Sequence, residues 1–138
     1  MPSDNIFEIC VLPGDGIGTE VTSSTIAVLD AVSRRSRGFA FNFEYFAAGA
    51  ERYLQSGVAM PDETWRGAEE AHAIFLGAMG LPRVRYDDGT EITPQLDLRF
   101  NFDLYAGVRP ISARRSGPSV LKDTLAGEID FVLIREST

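Results

Sequence analysis

An apolar run from Ile6 to Leu12 passes through Pro13-Gly14-Asp15-Gly16-Ile17-Gly18 into a segment of helical spacing, and this order constrains the fold more than any other feature. A short apolar run bounded by turn residues reads as a buried strand. Val21, Thr25, Val28, Leu29 and Val32 then recur at helical period between Thr19 and Arg37, and Gly38 supplies the stop. The opening unit is strand, glycine loop, helix.

The pattern continues in kind. Phe39, Phe41, Phe43 and Tyr45 alternate with smaller or polar residues, the period-two mark of a second strand. Ala47 to Gln55 reads as a short helix ended at Gly57, and Asp62 after Pro61 as the cap of a helix reaching Ala71. Ala73 to Met79 is almost wholly apolar, which predicts a strand covered on both faces and neighbouring Ile6 to Leu12. Gly80 to Ile92 is loop, with Pro82 and the Asp88-Gly89 turn signal. Thr93-Pro94 fits a cap followed by proline at the first helical position, opening a helix to about Phe102. Leu104 to Arg109 and Ile129 to Arg135 read as strands, separated by a polar loop and a weak helical stretch around Val120 to Leu125. Such alternation predicts an α/β fold, a mostly parallel sheet with flanking helices.

Composition removes several functions. The chain has 138 residues, 44% of them hydrophobic, enough for one ordinary domain with a core. Its net charge of −7 argues against nucleic acid and against an anionic membrane, because binding phosphates needs clustered Lys and Arg. No apolar run approaches a membrane span, and Met1 to Asn5 lacks the basic start of a signal peptide, so the expected location is cytoplasmic. Cys10, the one cysteine, sits in an apolar run and reads as a small buried hydrophobe. His72 is the one histidine and has no partner at metal spacing, so no zinc site is expected. The pairs Glu69-Glu70 and Asp87-Asp88 read as solvated surface, and the aromatics of the second strand as core.

Chemistry concentrates in the loop and in the arginines. Gly14-Asp15-Gly16-Ile17-Gly18 resembles a dinucleotide fingerprint until its sixth place, which is Thr19 rather than glycine. Spacing alone therefore favours a tight strand-to-helix turn. Arg99, Arg109 and Arg135 end a helix or a strand each, where arginines are most often surface ion-pair partners. Arginine is also the side chain that grips carboxylates in bidentate fashion.

LPGDGIGTEV (Leu12 to Val21), ITPQLDLR (Ile92 to Arg99), VRP (Val108 to Pro110) and LIRE (Leu133 to Glu136) resemble, in order and without large gaps, the β-decarboxylating dehydrogenases of isocitrate, 3-isopropylmalate, homoisocitrate, tartrate and D-malate. The resemblance implies that Arg99, Arg109 and Arg135 hold the malate moiety and face one cleft. It places Ile17 against the nicotinamide of NAD or NADP. It makes Thr93 and Gln95 the readers of the substrate's γ-group, with Leu96 keeping part of an apolar wall. Isopropylmalate enzymes carry leucines in place of Gln95 and Leu96, and isocitrate enzymes serine and asparagine in place of Thr93 and Gln95. Ile92 stands where isopropylmalate enzymes carry a glutamate near the nicotinamide ribose, and Glu91 beside it is the substitute.

The same resemblance implies an isopropylmalate dehydrogenase-like fold, incomplete here: residues 1–103 would be the first part of a split cofactor-side domain, and 104–138 the start of a central substrate and dimerisation domain. The family's acid/base tyrosine and lysine, and the aspartates that hold Mg²⁺ or Mn²⁺, fall beyond Thr138. No catalytic and no metal-binding residue is expected within the chain. The implied function is oxidative decarboxylation of a small 2-hydroxy di- or tricarboxylate by a homodimer of full-length subunits, with these residues alone inactive. The rivals are a tartrate or D-malate enzyme, a non-catalytic fragment that binds anions or pairs with a full-length subunit, and an unrelated phosphate-binding module built on the glycine loop.

Overall fold

A computed structural model describes residues 5–36, 38–113 and 129–136. The chain divides into two compact units, residues 1–95 and 96–138. The first contains β1 (Ile6–Leu12), α1 (Ile17–Ser36), β2 (Ala40–Tyr45), α2 (Ala50–Ser56), α3 (Asp62–Glu70) and β3 (Ala73–Leu76). The boundary falls inside α4 (Pro94–Asn101), and the second unit continues with β4 (Ala106–Ser112) and β5 (Asp130–Glu136). The helical stretch expected around Val120 to Leu125 lies outside the described residues.

The first unit is built on a parallel sheet of order β2-β1-β3, so the two apolar runs are neighbours as expected. β1 pairs with β3 from Ile9 opposite Ala73 to Leu12 opposite Leu76, and with β2 from Ile6 opposite Ala40 to Val11 opposite Tyr45. Burial is graded along β1: Cys10, Val11 and Leu12 are enclosed, while Ile6 is 55% exposed. The core therefore sits toward the carboxyl ends of the strands, where the loops leave. Against expectation, β3 stops at Leu76 and is not covered on both faces: Ala73 and Leu76 are exposed. After Leu76 the chain turns into the glycine loop, with the Gly77 N–H on Leu12 O at 2.8 Å and Ala78 O accepting the Asp15 N–H at 2.9 Å. Loop–loop bonding replaces the strand ladder there.

α1 has the expected extent but presents a different face. Its buried residues are Gly18, Thr22 and Ile26, whereas Val21, Val28 and Val32 are about half exposed or more. Close approach sets the rotation: a Cβ on Gly18 would lie 2.2 Å from Ala78 O, so only glycine can face the 77–80 loop. Thr22 follows one turn later and its hydroxyl donates to Pro13 O at 3.3 Å. With Gly18 and Thr22 inward, the valines point away.

Two further expectations need correction. α2 begins at Ala50 rather than Ala47, and α3 has Pro61 as its N-cap, with Asp62 the first helical residue making no side-chain cap bond. Asp62 acts there only as a negative charge in the first turn, where the helix dipole favours it. His72 has a structural task at the end of the sheet. It donates its N–H to Glu8 O at 2.9 Å while its Nδ1 accepts the Glu8 N–H at 3.0 Å. The ring thus extends the β1–β3 ladder below its last strand rung. Phe7, Phe39, Phe41 and Phe43 stack edge-on or tilted along the same end of the sheet, with Phe39 and Phe41 centroids 5.2 Å apart.

In the second unit β4 and β5 form an antiparallel ribbon, Ala106 opposite Glu136 through Ser112 opposite Asp130. α4 ends in a Schellman turn: Leu104 N–H reaches Arg99 O at 2.9 Å, Asp103 N–H reaches Phe100 O at 3.5 Å, and Asp103 takes φ 52°. Aspartate is among the few non-glycine residues that accept this conformation readily. No helix of the described residues is long and apolar enough to cross a membrane.

Gly18→Ala is expected to destabilise the fold by about 2 kcal/mol or more, because the added methyl meets backbone rather than a movable side chain. A urea midpoint unchanged from the parent would contradict this account of the α1 rotation. Cys10 is 1% exposed, and burial, with the Glu44 charge as a lesser cause, pushes its thiol pKa up to about 11. At pH 8 the folded protein should therefore react with a disulfide reagent only at the rate of unfolding, which stopped-flow labelling against denaturant reads directly.

Candidate functional site

The carboxyl ends of β1 and β3 carry loops that are tied together through one side chain. Asp15 is 3% exposed, and its carboxylate accepts three backbone N–H groups. Oδ2 takes Ala50 N–H at 2.9 Å and Gly80 N–H at 2.8 Å, and Oδ1 takes Glu51 N–H at 2.7 Å. Ala50 and Glu51 are the first two residues of α2, whose own N-cap is Gly49 and supplies no side-chain acceptor. Asp15 caps that helix from 35 residues away, and its negative charge suits the helix N-terminus. Glu51 returns the contact, its Oε1 accepting the Gly16 N–H at 3.1 Å. Gly49 has φ 109°, and a Cβ there would lie 2.5 Å from Asp15 Oδ2, so the carboxylate fills the space beside it.

In the sequence alone Asp15 stands out only as part of the glycine string. A signal was present: Ala47-Ala48-Gly49 before α2 offers no Ser, Thr, Asp or Asn, so its first amides need an acceptor from elsewhere. Which acceptor that would be is a tertiary fact.

On one side of this clasp stands Ile17, first residue of α1 and 62% exposed. On the other, a cavity of about 200 Å³ is lined by Met79, Gly80, Leu81 and Val84 together with Glu91, Thr93 and Gln95. The structure therefore brings Glu91, Thr93 and Gln95 to one wall. Glu91 is already engaged: its Oε1 meets Arg85 Nη2 at 2.9 Å, and its backbone bridges to Arg85 across a small turn. Asp88 closes that turn, accepting the Thr90 N–H at 2.9 Å and the Thr90 hydroxyl at 2.7 Å, which hold its carboxyl below the usual range. Ile92 is 3% exposed and packs in a core cluster with Ala50, Ala59 and Val84. Gln95 keeps a buried Oε1 without a hydrogen-bond partner.

The arginines belong to the second unit. Gly107 stands opposite Arg135 and Arg109 opposite Leu133, so Arg109 and Arg135 rise from the same face of the ribbon as diagonal neighbours. That spacing, about 7 to 8 Å between Cα atoms, lets long side chains meet. Arg99 lies on α4, and none of the three is in an ion pair among the described residues. Partial burial raises the Asp97 carboxyl pKa on the same helix.

Against known proteins, a family profile described as isocitrate/isopropylmalate dehydrogenase matches residues 8–138. The chain is 42% identical to a 3-isopropylmalate dehydrogenase of Geobacillus kaustophilus over 96% of its length, and 37% identical to a tartrate dehydrogenase/decarboxylase of Pseudomonas putida over all of it. It covers 36% and 38% of those proteins, about a third of the length of its curated relatives. Among solved structures it superposes with a TM-score of 0.70 on a β-decarboxylating dehydrogenase of Thermococcus kodakarensis, at 29% identity, and 0.72 on the isocitrate dehydrogenase of Methylococcus capsulatus, at 25%. Each match covers 96% of this chain and about a third of the other, 34% and 35%. Matched by the family profile from residue 8 to its last residue, the chain belongs to the isocitrate/isopropylmalate dehydrogenase family.

Proposed function

We propose that these residues form the substrate-gripping part of a metal- and NAD(P)-dependent enzyme that oxidatively decarboxylates a 3-substituted malate of the isopropylmalate or isocitrate type. The observation that carries the reading is the side-by-side position of Arg109 and Arg135 on one ribbon face, neither in an ion pair among the described residues, within a chain of net charge −7. In so acidic a chain, adjacent guanidinium groups without an ion-pair partner among the described residues suit a dianionic ligand. With Arg99 they orient the two carboxylates of the malate moiety and stabilise the enolate charge that develops as carbon dioxide leaves.

Thr93 and Gln95 meet the γ-group, and Leu96 flanks it. Ile17 offers an exposed apolar side chain against which a nicotinamide ring can lie, and Glu91 reaches the ribose on release from Arg85. The dinucleotide, when bound, accepts the hydride. No group of three or more His, Cys, Asp or Glu side chains among the described residues can hold a metal ion. In this reading residues 1–103 open the cofactor-side domain, 104–138 open the central domain, and the active unit is a homodimer. A tartrate-type substrate is the second reading, favoured by the 37% identity to a tartrate dehydrogenase/decarboxylase along the entire chain.

Gln95 is the discriminating position. In an enzyme of the relatives' full length that carries these residues, Gln95→Leu should shift the ratio of kcat/KM toward isopropylmalate over isocitrate by about 1 to 3 kcal/mol, since it removes a buried polar atom that lacks a partner. An unchanged ratio would remove Gln95 from the site. A polypeptide of residues 1–138 alone should produce no substrate-dependent NADH or NADPH with Mg²⁺ or Mn²⁺, because the arginines position a carboxylate but supply no base for the hydroxyl proton. Turnover with isopropylmalate, isocitrate, tartrate or malate, in a preparation free of host dehydrogenase, would overturn that expectation.

A further inference from the structure

We infer that Asp15 is a positioning residue for hydride transfer, fixing the distance between the loop that carries Ile17 and the cavity wall that carries Thr93 and Gln95. The inference rests on the proposed function above. Its physical basis is that Asp15 belongs to the loop carrying Ile17 while its buried carboxylate bonds to the cavity wall and to α2. Through its own backbone Asp15 is two residues from Ile17, and its Oδ2 holds the Gly80 N–H at 2.8 Å in the wall of the cavity that Glu91, Thr93 and Gln95 also line. The same backbone donates to Ala78 O at 2.9 Å, so side chain and main chain grip residues 78 and 80 together.

The third and fourth bonds make the clasp stiff. Ala50 and Glu51 N–H reach Oδ2 and Oδ1 at 2.9 and 2.7 Å, and Glu51 bonds back to Gly16. α2 therefore stands as a brace behind the loop. Charge-assisted bonds to backbone amides are about twice as strong as neutral ones, and here the carboxylate is shielded from water. Neutralising it leaves the packing in place but weakens every bond it accepts. Asparagine at this position turns an amide donor toward one or more of the same N–H groups. The glycine loop and the Gly80 wall are then free to separate by a fraction of an ångström, and a misplacement of about 1 Å costs roughly a hundredfold in rate.

The test uses an enzyme of the relatives' full length carrying Asp15→Asn, assayed well below its melting temperature with each family substrate, NAD and NADP. We expect kcat to fall at least about tenfold with KM values within about threefold, because binding through the arginines is untouched while the near-attack geometry is lost. The primary deuterium isotope effect on kcat, measured with substrate labelled at the carbinol carbon, should rise as hydride transfer becomes limiting. Amide hydrogen exchange should show Gly80, Ala50 and Glu51 losing protection while β1 keeps its own. If Asp15→Asn does not fold, Asp15→Glu keeps the charge on a longer arm and should show the same pattern to a smaller degree. An unchanged kcat and isotope effect in an active enzyme would overturn the inference, as would uniform loss of protection across β1, β2 and β3. A parent enzyme silent on every family substrate overturns the functional reading instead, and exchange at Gly80 still reports whether Asp15 holds the wall.

Discussion

The Asp15 carboxylate, buried and bonded to three backbone amides, is the interaction on which the first unit depends. A buried charge is tolerated only when its lone pairs are used, and here the partners are amides that would otherwise have none. The glycine loop, the start of α2 and the loop after β3 come from distant parts of the sequence. One acceptor shared among them joins three connections into a single corner at the carboxyl end of the sheet, which is where ligands of open α/β sheets are expected.

Backbone proximity follows from the same corner. The Ala78 carbonyl approaches the glycine loop so closely that Gly18 is the only residue type that fits facing it. This contact, rather than the most hydrophobic stripe, sets the rotation of α1. Packing of a helix normally maximises apolar burial, yet here Val21, Val28 and Val32 remain on the outer side while Thr22 and Ile26 go inward. A Cβ brought to 2.2 Å from a backbone oxygen outweighs the burial of several valine methyl groups, because a clash with backbone cannot be relieved by a rotamer change.

The second unit obeys a simpler rule. Antiparallel pairing with Gly107 opposite Arg135 forces Arg109 and Arg135 to one face, whatever the surroundings of the ribbon. Like charges so placed repel, and a two-stranded ribbon has little apolar burial to offset that. Val132 and Ile134 on the opposite face are about half exposed or more. The anionic substrate proposed for this face would relieve the repulsion on binding.

Local order was legible in the sequence because it depends on neighbours: the period of Phe39 to Tyr45, the apolar runs at Ile6 and Ala73, the Gly57 stop after α2 and Pro94 at the start of α4. The ordered motifs were enough to assign the family as well. What the sequence could not decide were the relations between distant segments. Asp15 as the cap of α2, His72 as a rung of the ladder, the turning of α1 on Gly18, the early end of β3 and the engagement of Glu91 by Arg85 all involve partners set by the path of the chain. Local patterns record hydrophobic period and turn chemistry, which each segment carries alone. Hydrogen-bond satisfaction and steric limits between loops are properties of the assembled fold, and only the tertiary structure fixes which amide meets which carboxylate.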